Sequence, residues 1–429
     1  MGKFKKTICI LMAVFSIISA VSFSAFACDE TEETEFISKY PFVFVHGFNG
    51  WGRDEGIDGV IPYWGATTGD LMKYLQSEGY ECYSASVGPF SSAWDRSCEL
   101  YAQLTGTTVD YGTAHSAKHN HERYGRTYSK PMIENLGEIN ENGEINKINL
   151  IGHSFGGTTI RMMVHLLTNG SEEERKATTD GTLSDLFTGG KDNIVNSVVT
   201  ICTPHNSSSI YQFTLDFHLY NVLQLLSVMY AGSIGRSALN GRFVDFHLEQ
   251  FGITNTPGKH DADSYIKSIV NFMKNSDDSC QHDLTPDGMK TINDMIDTNP
   301  NIYYFSYPFK STYTSKITGI TWPKITTNPL ITPLACYMAH HKEFTDPTTG
   351  QVYDDEWRDS DSLCNTISET YPFDESHIEY TDGTDIQKGV WYVMPTQEGD
   401  HGQAIGLLAS KDKTHKFYLE MVQMVNNLK

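Results

Sequence analysis

The 429-residue chain has eight cysteines but no Cys-x-x-Cys pair. Cys9 falls in an amino-terminal leader, and the other seven are odd in number and scattered. That spacing argues against a thiolate zinc site or a disulfide framework, so most of these cysteines are expected to be buried thiols. Basic charge is also scarce: 32 lysines and arginines face 53 acids, a formal net charge of −21. Such a balance argues against nucleic acid or an anionic membrane as an electrostatic partner and suits a soluble exported protein. No window is polar and charged enough for a long disordered tail, and there is no internal repeat. Beyond the leader, no second apolar run reads as a membrane span.

What the chain does have begins with that leader. Lys3, Lys5 and Lys6 precede an apolar run from about Ile8 to Phe23, and Ala25-Phe26-Ala27 follows a small-x-small pattern. The segment reads as a signal peptide over residues 1–27, cleaved near Ala27. It is short for a membrane anchor, and an anchor would not need the small residues before Cys28. Cys28 raises a lipoprotein alternative, against which bulky Phe26 stands where a lipobox prefers a small residue. The expected location is secreted and extracellular.

After an acidic linker, Asp29 to Glu35, comes the continuous apolar run Phe42-Val43-Phe44-Val45, ended by His46-Gly47. Lys147 to Ile151 and Ser197 to Ile201 are similar runs, and such runs suit strands buried on both faces. Helical spacing lies between them: Leu71, Met72, Leu75, then Ile160, Met163, Val164, Leu167, closed by Asn169-Gly170. Strand alternating with helix predicts an α/β fold with a mostly parallel central sheet covered on both faces. No seam reads as a linker, so residues 28–429 are expected to form one domain with insertions. Phe213 to Leu239 is a largely apolar helical stretch, either a core helix or a mobile lid over apolar substrate surface.

Gly152-His153-Ser154-Phe155-Gly156 directly follows a buried strand and directly precedes a helix. This is the nucleophile elbow of the α/β-hydrolase fold, where the turn is too sharp for side chains two positions either side of the serine. Ser154 is therefore the candidate nucleophile. A serine hydroxyl needs a base, and the base needs an orienting carboxylate, in the chain order serine, acid, histidine. His401, in Glu398-Gly399-Asp400-His401-Gly402, fits the base. Asp361 is the candidate acid, with Asp359 and Asp374 open on order alone. The N–H groups of Phe155 and of Phe48, in the glycine-containing loop His46-Gly47-Phe48-Asn49-Gly50, are the expected oxyanion donors.

A second constellation stands apart from these residues. Asp95, His115 and His121 offer a carboxylate and two imidazoles, ligands that suit zinc, though three histidines in seven residues also suit a polar surface loop.

From about Tyr40 onward the chain resembles the bacterial true-lipase family that includes the thermostable bacillus-type and staphylococcal lipases. The stretches that carry the resemblance are HGFNGWGRDE from His46, VGPFSSAWDRSCELYAQL from Val87, VDYGTAHSAKHNH from Val109, RYGRTY from Arg123, GHSFGG from Gly152, and KGVW from Lys388 leading to Asp400-His401. The resemblance implies a carboxylic ester hydrolase with Ser154, Asp361 and His401 as its triad. It also implies structural zinc held by Asp95, His115, His121 and Asp283, with His119 a spectator. The zinc region then comprises residues 90–125 and 280–285, Tyr63-Trp64 belongs to the small region that the zinc ties to the core, and the stretch at 213–239 becomes a lid. Two departures stand out. The family's calcium carboxylates fall at Gln403 and Leu408, so calcium is expected to be absent. Phe155 also adds apolar bulk beside the acyl site.

Acylglycerols or related esters are the expected substrates, with a lipid–water interface one place to meet them. A phospholipase or polyester-active esterase would share the machinery. A binding protein on a hydrolase fold would be expected to have lost part of the triad.

Overall fold

The computed structural model describes residues 36–212, 245–254 and 262–428. The leader, the stretch at 213–239 and its lid reading lie outside the described residues.

Seven parallel strands form the central sheet: β1 (Phe42–Val45), β2 (Cys82–Ala85), β3 (Ile148–His153), β4 (Val195–Ile201), β5 (Tyr303–Tyr307), β6 (His377–Glu379) and β7 (Trp391–Val393). Their spatial order is β6-β7-β5-β4-β3-β1-β2. All four residues of β1 are fully buried. Because successive strand side chains face opposite ways, Val43 and Val45 enter one apolar cluster, while Phe42 and Phe44 enter the other. The same alternation puts Leu150 on the first face and Ile151 on the second. A strand buried on both faces has no polar alternation, which is why these runs read as continuous.

Helices cover both faces. On the first lie α1 (Ala93–Thr105) and α2 (Phe155–Asn169), which supply Leu100, Leu104, Ile160 and Met163 to the core. On the second, α3 (Lys411–Asn426) contributes Tyr418, Met421 and Val422. Local chemistry sets the ends of α1. Ser92 accepts the Asp95 N–H at its start, and Gly106 takes the left-handed conformation at its end. The six described cysteines are all free thiols, five of them buried.

Candidate active site

Phe48, Ser154 and His401 follow the carboxyl ends of β1, β3 and β7, where the backbone is released from pairing and ligands bind in open parallel sheets, and Asp361 lies in the long connection after β5. Ser154 follows β3 at φ 56° and ψ −129°, a conformation that a non-glycine residue adopts only when its surroundings enforce it. The flanking glycines make the turn feasible. A Cβ on Gly156 would stand 2.2 Å from the Val45 carbonyl oxygen, and one on Gly152 would stand 2.5 Å from Gly157 N. The loop after β1 abuts the same residue: a Cβ on Gly47 would lie 2.7 Å from Ser154 Cβ and 3.2 Å from its Oγ. This close approach places the Phe48 backbone beside the nucleophile. Phe155 N–H, the first of α2, has no intrahelical carbonyl to bond.

Beyond β7, His401 Nδ1 lies 2.5 Å from Asp361 Oδ2. The other carboxylate oxygen, Oδ1, accepts the N–H groups of Leu363 at 2.9 Å and Cys364 at 2.7 Å. Burial pushes the Asp361 carboxyl up, but the facing imidazole and these N–H bonds outweigh it and hold the group below its ordinary value. The two other aspartates are engaged elsewhere or exposed. Asp359 binds Lys310 at 2.5 Å, and Asp374 is exposed to solvent.

Sequence reasoning missed three groups that brace this arrangement. Tyr63 hydroxyl accepts the Gly47 N–H at 3.0 Å and lies 2.8 Å from His153 Nδ1. His153 Nε2 lies 3.2 Å from the His401 carbonyl oxygen, which can only accept, so Nε2 carries the proton and Tyr63 donates to Nδ1. Burial, with His401 nearby, pushes His153 well below its ordinary value and keeps it neutral. One hydrogen-bonded chain thus joins the loop after β1, the elbow and the loop of His401. Tyr63→Phe is expected to leave two buried polar groups unpaired, costing about 1–3 kcal/mol of stability. A fall in kcat of roughly tenfold should accompany it, read by thermal melting and steady-state kinetics.

The third group is Glu369. It is fully buried, its Oε2 accepts the Phe309 N–H at 2.7 Å, and its Oε1 has no hydrogen-bond partner. An oxygen of Glu369, an oxygen of Asp361 and Cys202 Sγ all lie within 4.8 Å of one another. Burial, with the Asp361 charge beside it, pushes the Glu369 carboxyl well above its ordinary value. Nothing in its sequence context, Ser368-Glu369-Thr370, signals this burial.

A separate cluster joins Asp95, His115, His121 and Asp278, with one ligand atom of each within 4.8 Å of the others. His115 Nε2 is 3.2 Å from both Asp95 Oδ1 and Asp278 Oδ2, and His121 Nε2 is 3.2 Å from Asp278 Oδ2. Tetrahedral zinc with bonds of 2.0–2.1 Å would set its ligands roughly 3.3 Å apart, so the spacing fits. Buried His121 Nε2 makes no well-aligned hydrogen bond, although Asp278 Oδ2 stands 3.2 Å away, and its Nδ1 lies 2.8 Å from the Glu122 carbonyl oxygen. That bond places the proton on Nδ1 and leaves the Nε2 lone pair for a cation. Two buried carboxylates also call for positive charge. Gln250 Nε2 donates to Asp95 Oδ2 at 2.9 Å, and Trp94 stacks on the His115 ring.

The fourth member corrects the expectation of Asp283. Its Oδ2 instead accepts the Ala93 N–H at 2.7 Å, at the start of α1. Ser279 caps a single helical turn, Cys280–Asp283. That turn aims Asp283 at the α1 backbone and leaves Asp278, in the loop before it, to face the histidines. His119 pairs with Asp277 at 3.0 Å, outside the cluster. At the positions where calcium carboxylates were sought, the Gln403 amide donates to Thr326 O and accepts from Asp400 N, both at 3.1 Å, and Leu408 is exposed.

A parallel sheet ending in a strained serine elbow, with a buried Asp–His pair on the loops beyond it, defines an α/β-hydrolase. A family model described as "Lipase-like, C-terminal domain" matches residues 38–428, and the chain belongs to that family. A lipase of Staphylococcus hyicus is 35% identical over 372 residues, which cover 86% of this chain and 54% of that relative. The chain thus spans about half the length of the curated relatives it matches. Among solved structures, EstA from Clostridium botulinum superposes with a TM-score of 0.79 at 32% identity, covering 96% of this chain and 94% of that one. Lipase 1 from Pelosinus fermentans gives 0.77 at 35%, covering 92% and 100%.

Proposed function

We propose that the protein is a secreted carboxylic ester hydrolase, a lipase or esterase acting on acylglycerols or related esters. The Asp361–His401 pair beside the Ser154 elbow is the observation that carries the reading. Ser154 Oγ attacks the ester carbonyl carbon while His401 Nε2 takes its proton. Asp361 holds Nδ1–H and stabilises the imidazolium. The N–H groups of Phe48 and Phe155 donate to the oxyanion. Collapse of the tetrahedral intermediate expels the alcohol, which receives the proton from His401. Water then attacks the acyl-enzyme with His401 again as base, releasing the acid and restoring the serine.

A serine-directed fluorophosphonate tests this directly. One adduct is expected, mapped to Ser154 by peptide mass, with loss of p-nitrophenyl butyrate turnover in proportion to labelling. An unlabelled Ser154 in folded protein would mean a binding protein on a hydrolase fold.

The donor set of Asp95, His115, His121 and Asp278 fits zinc, which when bound would cross-link α1 to the segments around residues 115–121 and 278. Its contribution would be to stability, since none of these residues belongs to the triad. Arg96, next to Asp95 on α1, is buried and donates to His46 O at 2.5 Å, so the cross-link would also steady the loop after β1. About one equivalent of zinc is expected by elemental analysis. Asp278→Asn should lose the metal and melt at a lower temperature, whereas Asp283→Asn should keep it. The reverse pattern would restore Asp283 as the ligand.

Export rests on the leader over residues 1–27. No helix among the described residues is long and apolar enough to cross a membrane.

A further inference from the structure

Residues 298–342 contain no aspartate or glutamate, in a chain that carries 53 of them. Within this stretch a hairpin of Thr312–Thr314 and Thr321–Pro323 projects from the fold. Its register sets Tyr313 opposite Trp322, which places the two rings on one face. They are 48% and 44% exposed, Ile320 is 41% exposed, and Ile317 and Ile325 are essentially fully exposed at 95% and 102%. Lone apolar residues at a surface are ordinary, but four large ones on a single hairpin, with Ile325 just past its second strand, concentrate apolar surface that water disfavours. Lys316 at the turn is exposed as well. Beside the hairpin, a cleft of about 940 Å³ opens between Tyr313, Ile325 and Cys336.

Both ends of the hairpin are bonded to the triad loops. Ser311 N donates to Ser360 O at 2.8 Å, next to Asp361. Thr326 O accepts from Gln403, and Asn328 N donates to Asp400 Oδ2 at 2.7 Å, on either side of His401. The base of the hairpin is therefore braced against the loops that carry Asp361 and His401.

We propose that this hairpin is the element by which the protein docks on a lipid surface, with Ile317 and Ile325 entering the acyl layer. Tyr313 and Trp322 lie at headgroup level, where rings with one polar end settle, and Lys316 reaches the phosphates. The hairpin itself carries no acid, and the nearest ones at its base, Glu398 and Asp359, are paired with Lys324 and Lys310, which leaves Lys316 as the charge at its tip. Docking there holds the mouth of the active site against the layer that contains the ester. The proposal rests on the ester-hydrolase reading above.

The test pairs Ile317→Glu/Ile325→Glu with Ile317→Ser/Ile325→Ser, both altering only exposed side chains. Sedimentation with phosphatidylcholine vesicles measures docking, and p-nitrophenyl butyrate below its solubility limit measures the chemistry. The Glu pair is expected to weaken vesicle binding about tenfold or more, the Ser pair by less, with soluble turnover within about twofold of wild type. Unchanged vesicle binding in the Glu pair, or a wild type that does not bind vesicles, would overturn the proposal. So would a wild-type dimer that the Glu pair converts to monomer, because the patch would then cover a second copy of the chain. Vesicle binding lost in the variant while wild type fails to turn over any soluble ester would leave the docking surface standing and sink the ester-hydrolase reading instead.

Discussion

Ser154→Ala is expected to lower kcat for p-nitrophenyl butyrate by about a million-fold, with KM and melting temperature close to wild type. Without Oγ there is no acyl-enzyme, and what remains is the binding and oxyanion stabilisation that the elbow still offers. The fold should tolerate the change. Alanine meets the same positive φ as serine, and Ser154 N keeps its bond to Ile201 O at 2.8 Å because that contact belongs to the backbone. Steady-state kinetics on purified variant, checked for contaminating esterase by the phosphonate, measures the effect. Activity within tenfold of wild type would remove Ser154 from the mechanism.

Asp361→Asn should cost about ten-thousand-fold in kcat, although it deletes no atom from the site. The N–H groups of Leu363 and Cys364 occupy Oδ1, so the amide oxygen of the variant stays there and its NH2 faces His401. An amide that donates to Nδ1 forces the imidazole proton onto Nε2, and the base can then no longer accept from Ser154. The comparison is kcat at neutral pH with melting temperature as the control for folding. Retention of more than a tenth of the activity would point to a different orienting acid.

Export aside, the parts of this protein that repeat a local rule were legible in its residues. Strand β1 is four apolar residues because it is covered on both faces, and its end at His46-Gly47 follows from the turn that must come next. The elbow was legible for the same reason, since its glycines are required by contacts between neighbours in the chain. Asp361 was separable from Asp359 and Asp374 only through likeness to a family; order alone left all three open. Folding decides among them by burying one against His401, spending another on Lys310 and leaving the third in water.

The sequence by itself thus determined the sheet, the position of the Ser154 elbow and three members of the cluster of Asp95, His115, His121 and Asp278. Tertiary structure alone decided the fourth member, the chain from Tyr63 through His153, and the burial of Glu369 beside Asp361. Asp278 and Asp283 are chemically identical and five residues apart. Which one meets His115 and His121 depends on where the Cys280–Asp283 turn lies against α1, a contact between segments far apart in the chain. Folding likewise decides that Glu369 is buried beside Asp361, and no pattern of neighbours in the sequence encodes how much water a carboxyl will lose.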